Sequence, residues 1–275
     1  MGRLRTISRL RAGGSGSADP DAAAWAAAVT ANSGTYSGTT LAAVDTFTKA
    51  AKASGYWTKL NRINLFAGDQ LAACLVPLKV GGGNATDTNV NFVAGDYSEA
   101  TGLTGNGSTK RLRTGLIPSA SLTLNDTHLA VYNRAANATG GQIGIGADDG
   151  VNFLQTYSPL STGTFYSDQY NSSGSGGRVS GAVVAPYRLL VASRTAAAAH
   201  AIYKDGASVA SSATSGGVLP AFELYVFAAN SSGTANQFTA MPFGAYSIGA
   251  GLTAADVTAY NAHMQAFQQA LGRQV

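Results

Sequence analysis

The stretch AIYKDGASVA, Ala201 to Ala210, predicts a β-hairpin and indicates the fold class of the surrounding chain. Asp205 and Gly206 take the two central positions of its turn. Both central positions of a type I′ turn need a positive φ, which these two residue types tolerate. The residues on either side of the turn form the two strands. Local chemistry explains the hairpin completely, so Asp205 is interpreted as a turn residue and not as part of a site.

Segments of strand-like pattern recur from residue 56 to residue 251, at intervals of about 8 to 15 residues. Gly, Asn, Asp and Ser lie between them, and this spacing indicates a sandwich or jelly roll rather than βαβ units. The predicted fold class is therefore mainly β. The predicted strands include NRINLFAG, LAACLVPLKV, NVNFVAG, KRLRTGLI, HLAVYNR, QIGIGA, VNFLQTY, YRLLVASR, HAIYK, SVASS, FELYVFAA and FGAYSIGA.

Two short helices are predicted in residues 19–55, ahead of the β body. Asp19 is a good cap for the first helix, and Pro20 fits its first position. That helix is expected to continue to about Ala31. A second helix is expected from about Thr40 to Ala53, and both are short and Ala-rich, so they need a partner surface.

A final helix is predicted in residues 252–275. Thr253 and Asp256 have the spacing of a capping box. Apolar residues then recur at intervals of three and four, which makes one stripe. We expect the stripe to pack on the sandwich or on the first two helices, with a self-associating coiled coil as the alternative. The stripe consists of Val257, Tyr260, Met264, Phe267 and Leu271.

The positive charge of the chain is concentrated in residues 1–18. The net charge is +4, and Arg3, Arg5, Arg9 and Arg11 account for it. The rest of the chain is neutral, which argues against a broad nucleic-acid-binding face. Because GGSGS follows as a flexible linker, we predict a flexible basic arm. The four arginines are candidate anchors to a partner. A disordered tail, docking on a neighbouring subunit and contact with DNA remain alternative interpretations.

Targeting signals are not recognisable in the sequence. No run approaches the roughly 20 apolar residues of a membrane span. The arginines near the N-terminus are not followed by an apolar core, so they do not form a secretory signal. Only 12% of the residues are charged, about half the usual share, while Ser, Thr, Asn and Gly fill the polar positions. That composition is typical of an all-β surface protein.

The search for catalytic groups gives a prediction of no enzymatic activity. A sandwich-fold glycosidase needs two carboxylates close together on one face. The two glutamates, Glu99 and Glu223, are far apart in sequence. Cys74 is the single cysteine and lies in the apolar run LAACLVPL, which predicts a buried thiol in a strand rather than a nucleophile.

Metal and cofactor sites are not predicted either. His128, His200 and His263 are isolated from one another, so a zinc site is not expected. Asp148-Asp149 is interpreted as a turn, with a calcium contact as the alternative. No ligand spacing supports calcium, and the predicted cofactor list is empty.

The segment FYSDQYNSSGSGG, residues 165–177, is the candidate glycan-binding region. It is predicted to be a polar, Gly-rich loop that holds Tyr166, Asp168, Tyr170 and Asn171. Aromatic faces beside Asn and Asp side chains suit sugar binding. The alternative is a loop that packs on its own tyrosines.

The segment from Tyr187 to Ala250 resembles the laminin-G-like, concanavalin A-like jelly roll. The resemblance rests on YRLLVASR, the AIYKDGASVASSAT hairpin, and FELYVFAANSSGTANQFTAMPFGAYSIGAGLTAADV, in that order. The chain from about residue 19 to 275 also resembles a group of bacteriophage virion proteins. That resemblance rests on DPDAAAWAAAV, ASGYWTKLNRINLFAG, TGLTGNGSTKRLRTG and MQAFQQALGRQV.

The resemblance implies a structural virion component, such as a tail, fibre or head-decoration protein. Its expected partners are other virion proteins and further copies of itself, and it would be assembled in the host bacterial cytoplasm. The first prediction is therefore a non-enzymatic virion protein anchored by its arm. The alternative is a carbohydrate-binding adhesin that recognises a host-surface glycan. No membrane partner is expected.

Overall fold

The computed structural model describes residues 17–134, 142–159, 163–171 and 176–275. The predicted helices at both ends of the chain are present, and Asp19 caps the first by accepting a hydrogen bond from the Asp21 amide. Two further helices in the described residues are single turns. The helices are α1 (Pro20–Ala31), α2 (Gly38–Ala53), α3 (Leu71–Cys74), α4 (Pro118–Ser121) and α5 (Ala254–Ala270).

Eighteen strands are found in the described ranges. They are β1 (Leu60–Asn64), β2 (Lys79–Val80), β3 (Thr88–Val90), β4 (Tyr97–Ser98), β5 (Gly102–Thr104), β6 (Arg111–Arg113), β7 (Thr127–Asn133), β8 (Ile143–Asp148), β9 (Phe153–Tyr157), β10 (Thr164–Gln169), β11 (Val179–Ala182), β12 (Leu189–Ala196), β13 (Ala199–Lys204), β14 (Ala207–Ser212), β15 (Tyr225–Val226), β16 (Ala229–Ser231), β17 (Thr234–Asn236) and β18 (Pro242–Gly249).

These strands form two sheets, which confirms the predicted β-sandwich. The first sheet has the order β14-β13-β12-β7-β18-β1-β2, with β5 beside β18 and β4 beside β5. The second has the order β11-β10-β9-β8-β15-β6-β3, with the β16–β17 hairpin beside β8. Neighbouring strands are antiparallel, except that β16 runs parallel to β8.

The molecule has three layers, because helices cover one sheet. Apolar side chains between the two sheets form one core, which includes Leu129, Val131 and Phe165. A second core lies between the first sheet and the helices α1, α2 and α5, and it includes Ala130 and Tyr132. Strand β7 is therefore buried on both faces.

The stripe on α5 packs as predicted, on both the sandwich and the other helices. Val257, Tyr260, Met264 and Phe267 are fully or almost fully buried in the helix-side core. The ring centroid of Phe267 lies 5.9 Å from that of Phe47 on α2, in edge-to-face geometry. The helix therefore joins α2 to the first sheet.

The Asp205–Gly206 turn has the predicted geometry. Both residues have positive φ, 51° and 85°, as a type I′ turn requires. The strands that it joins, β13 and β14, lie at the end of the first sheet. The hairpin is thus an edge of the sandwich, as its sequence context indicates.

Two local predictions are wrong. The run LAACLVPL is not a strand: Leu71–Cys74 forms the short helix α3, and Cys74 is buried there. A short apolar run fits a buried helical turn as well as a strand, so periodicity cannot separate them. The segment at residues 164–169 is the strand β10, not a loop.

Candidate functional site

The outer face of the second sheet carries a row of residues that crosses five strands. The strand register pairs the members of this row across neighbouring strands. In order, they are Asp168, Gln155, Gly146, Tyr225 and Arg113, and each lies opposite the next. Directly opposed residues in a sheet share a face. Apolar chain neighbours of these residues, such as Leu154, Ile145 and Leu224, lie in the core between the sheets. The row therefore crosses β10, β9, β8, β15 and β6 on the side away from that core.

Gly146 divides this face into two parts. A Cβ at Gly146 would lie 2.7 Å from Ile143 Cγ2 and 3.5 Å from Ala229 Cα. The glycine makes room for the side chain of Ile143, which forms a small apolar cluster with Tyr157 and Ala229. The row is therefore interrupted, with one group of polar residues on each side.

The first group is the tyrosine–arginine patch, which consists of Gln155, Tyr157, Tyr166, Asp168 and Arg178. The Tyr157 and Tyr166 ring centroids are 5.7 Å apart, in edge-to-face geometry. The Arg178 guanidinium lies 5.0 Å and 5.4 Å from these two centroids, within cation–π distance. Three planar groups thus form a compact surface at one end of the sheet.

The Arg178 guanidinium is held by a bidentate ion pair. Its Nε and Nη2 donate to Asp168 Oδ1 at 3.0 Å and Oδ2 at 2.6 Å, and Nη2 also donates to the Tyr157 hydroxyl at 3.0 Å. Gln155 Nε2 donates to Asp168 Oδ2 at 2.9 Å. The bonds to Asp168 raise the pKa of Arg178, so this cation is fixed in charge and position.

One buried polar atom of this patch has no hydrogen-bond partner. Gln155 is fully buried, and its Oε1 has no hydrogen-bond partner. Tyr166 is half-buried. Burial raises the pKa of Tyr157, so this phenol remains protonated near neutral pH. The patch therefore presents the ring and hydroxyl of Tyr166 beside the fixed Arg178 cation, while Gln155 lies beneath the surface.

The second group lines a cavity of about 480 Å³ beyond Gly146. Arg113 Nε donates to Glu223 Oε1 at 2.7 Å, and the Gly115 amide donates to Glu223 Oε2 at 2.9 Å. Tyr225 forms one wall and carries the Arg111 guanidinium 5.2 Å from its ring centroid. We refer to this cavity as the Glu223 cavity.

The four predicted glycan-binding residues do not form one site. Tyr166 and Asp168 belong to the tyrosine–arginine patch, but Tyr170 is fully buried. The hydroxyl of Tyr170 lies 2.5 Å from Thr127 Oγ1, and its ring lies under the Arg194 guanidinium at 5.5 Å. Its ring faces the core and cannot stack on a sugar in this conformation.

Asn171 lies in a separate depression of about 250 Å³ at the strand ends. It is buried, and neither of its side-chain polar atoms has a hydrogen-bond partner. Asn152 and the Gly216–Gly217 backbone line the same depression. Asn171 therefore does not join Tyr166 and Asp168.

Sequence reasoning missed Gln155, Tyr157 and Arg178. The alternation in VNFLQTY places Gln155 and Tyr157 on one face of β9, so the sequence contained this signal. Arg178 gave no signal, because its role depends on the pairing of β10 with β11.

The other sequence candidates take part in local structure. Asp148 Oδ1 accepts a hydrogen bond from the Gly150 amide, and Asp149 Oδ1 accepts from Val151 and Asn152, as expected of a turn. Within the described ranges, no group of three or more His, Cys, Asp or Glu residues could hold a metal ion. The four arginines of residues 1–18, namely Arg3, Arg5, Arg9 and Arg11, lie outside the described residues.

None of the helices in the described part of the chain has both the length and the apolar character needed to cross a membrane.

Comparison with known proteins supports the fold. No family model and no curated protein matches this chain. Among solved structures, the binding domain of botulinum neurotoxin DC, in complex with SialylT, aligns with 76% of this chain and 52% of that chain, at 11% identity and a TM-score of 0.50. A likeness at this identity shows the fold, here a lectin-like β-sandwich, and not the ligand.

Two other structures give similar matches. Domain 4 of AbnA, a GH43 arabinanase from Geobacillus stearothermophilus, solved with arabinotriose, aligns with 74% of this chain and 98% of that chain (TM-score 0.49, 15% identity). A mutant NanB sialidase from Streptococcus pneumoniae aligns with 56% of this chain (TM-score 0.46, 12% identity). The match covers only 26% of the sialidase chain. The resemblance to bacteriophage proteins stays a prediction.

Proposed function

We propose that this protein binds a carbohydrate through the outer face of its second sheet, at the tyrosine–arginine patch. The observation that carries the proposal is the asymmetry of the two sheets. Helices α1, α2 and α5 bury the outer face of the first sheet, while on the outer face of the second Tyr166 and Arg178 are partly exposed. The neurotoxin domain of the same fold, which was solved with SialylT, supports this class of ligand.

The chemistry of the patch suits a sugar. Saccharides present hydroxyl groups at their edges and C–H groups on their faces, so they need hydrogen-bonding partners beside apolar rings. Tyrosine combines an apolar body with a polar hydroxyl. Tyr166, which is half-buried, supplies both. Convergent polar groups in a mainly apolar setting are typical of ligand sites.

We propose that the protein binds without catalysis and without a cofactor. The carboxylates near the candidate sites are held by structural bonds. Asp168 pairs with Arg178, and Glu223 pairs with Arg113. Glu99 Oε1 accepts hydrogen bonds from Thr40 Oγ1 and the Gly68 amide. These bonds support a binding role over general acid–base chemistry.

A glycan array tests the proposal. We expect the protein to bind at least one glycan, and Tyr166→Ala to weaken that binding about tenfold or more, since such a loss corresponds to about 1.4 kcal/mol. Tyr36→Ala is the matched control, because Tyr36 is also half-buried but packs in the helix layer. Binding should persist in a metal chelator, and the bound glycan should stay intact. If no glycan binds, or if both variants lose binding equally, the proposal is wrong.

A role in a bacteriophage particle stays a prediction, separate from the proposed carbohydrate binding. It depends on the arm at residues 1–18, of which residues 1–16 lie outside the described ranges. Assembly into oligomers and location in the virion also stay predictions. A virion fibre that binds a host-surface glycan would satisfy both functional hypotheses.

A further inference from the structure

The cation of the tyrosine–arginine patch is already neutralised. Asp168 is fully buried and holds Arg178 through two charge-assisted bonds, at 3.0 Å and 2.6 Å. Bidentate pairs of this kind are stronger than neutral hydrogen bonds. Removing one partner of such a pair leaves a buried charge uncompensated, which is strongly destabilising. An acidic ligand therefore cannot take Arg178 from Asp168 without this penalty.

The remaining groups of the patch are neutral. Among the described residues, no second lysine or arginine bonds to any member of the patch. A ligand carboxylate that loses its hydration on this patch would find no unpaired cation among the described residues, and this costs free energy.

We propose that the patch selects uncharged saccharides and discriminates against acidic ones, such as those that end in sialic acid. The selection has one source: Asp168 uses the positive charge of Arg178, so a ligand carboxylate would be desolvated without compensation. This inference rests on the proposed function, since it names the class of sugar for the same site.

The test uses an array in which each neutral oligosaccharide is paired with its sialylated form. We expect the wild-type protein to prefer the neutral member of any bound pair by about tenfold or more. Equal binding of both members, or preference for the sialylated one, overturns the inference and leaves carbohydrate binding intact. Absence of binding to every glycan instead overturns the proposed function on which it rests.

The variant Asp168→Asn keeps the size of the side chain and removes its charge. Arg178 then becomes an uncompensated cation, so we expect the preference for neutral glycans to fall about tenfold or to reverse. An unchanged preference in a folded variant overturns the inference.

A measurement on the wild-type protein does not depend on the folding of a variant. Binding of a neutral glycan should change less than about twofold between low and high ionic strength, about 0.01 to 1 M, because salt screens only charge interactions. A loss larger than about tenfold would indicate recognition through charge and would overturn the inference.

Discussion

His128 lies fully buried in the first sheet, where protonation is unfavourable. Its Nδ1 donates to the Ala250 carbonyl at 2.6 Å, so Nε2 accepts from Ser247 Oγ at 2.9 Å. Burial lowers the pKa of His128 to about 4, and burial lowers that of His200 to about 3. Both side chains are therefore neutral in the folded protein over most of the acid range.

These shifts predict a loss of stability in mild acid. An unfolded histidine has a pKa near 6.5 and takes up a proton as the pH falls below that value. The folded protein does not do so until about pH 4, so the unfolded state gains the advantage between pH 6.5 and 4. For His128 the loss approaches about 3 kcal/mol at the lower limit.

Urea denaturation at several pH values between about 6.5 and 4.5 checks this prediction. His128→Asn should lower stability at pH 7 but flatten the acid dependence by about half, because His200 still contributes. His263→Asn is the control, since His263 is only half-buried and its pKa is lowered less. An acid slope that His128→Asn leaves unchanged would show that other groups cause it.

The turn residues could be predicted from the sequence, whereas the burial of the histidines could not. The positive φ angles of Asp205 and Gly206 follow from local chemistry, which the sequence contains. The burial of His128 depends on helix α5, whose Tyr260 hydroxyl donates to the same Ser247. The contacts of His128 with Ser247 and Ala250 join residues 119 and 122 positions apart in the chain.

Among the elements, α5 was predictable because its signals are local. Its cap and its apolar stripe both lie within the helix. Strand β10 was not recognised in the sequence because two of its inward-facing residues are polar. Ser167 faces His200 at 3.3 Å, and the carbonyl of Gln169 accepts from Arg194. An alternation rule needs apolar residues on the buried face, and here Ser167 and Gln169 occupy that face; Ser167 has a partner in His200, whereas the side-chain amide of Gln169 has none.

The capping box of α5 predicts a measurable contribution to stability. Thr253 Oγ1 accepts from the Asp256 amide at 3.2 Å, and Asp256 Oδ2 accepts from the Thr253 amide at 2.8 Å. Thr253→Ala should lower the free energy of unfolding by about 1 kcal/mol, since it leaves a helix amide without its acceptor. Chemical denaturation measures the change.

Two control variants separate capping from other effects. Thr253→Ser keeps the hydroxyl and should restore most of the stability. Thr258→Ala removes an exposed hydroxyl inside the same helix and should change stability by less than about 0.5 kcal/mol. If Thr253→Ser is as destabilising as Thr253→Ala, the hydroxyl is not the source of the effect.

In the whole molecule, the layered arrangement gives the two sheets different roles. The first sheet is covered on both faces, so its strands hold the fold together. The tyrosine–arginine patch lies on the second sheet, away from the helices. The sequence predicted both the sheets and the helices, but not which sheet the helices cover. That choice depends on packing between distant segments, and so does the register that brings Arg178 to Asp168.

Arg273 connects several parts of this assembly near the end of the chain. It is almost fully buried and donates to the carbonyls of Leu65, Phe66, Glu99 and Gly244, at distances of 2.7 to 3.1 Å. No carboxylate forms an ion pair with it among the described residues, and burial lowers its pKa to about 10. One side chain after α5 thus bonds to the segments beside β1, β4 and β18.

Arg273→Met should therefore be strongly destabilising but should not affect ligand recognition. The variant leaves several buried carbonyls without donors, and one such group costs about 1–3 kcal/mol, so we expect a total loss of about 3 kcal/mol or more. The stability of Arg273→Lys should fall between that of the wild type and that of Arg273→Met, because an ammonium cannot reach all four carbonyls. Urea denaturation gives the stability, and glycan binding measured below the unfolding transition should match the wild type. If Arg273→Met is as stable as the wild type, water can replace these hydrogen bonds. If the folded variant binds glycan less well, the helix layer and the tyrosine–arginine patch are coupled.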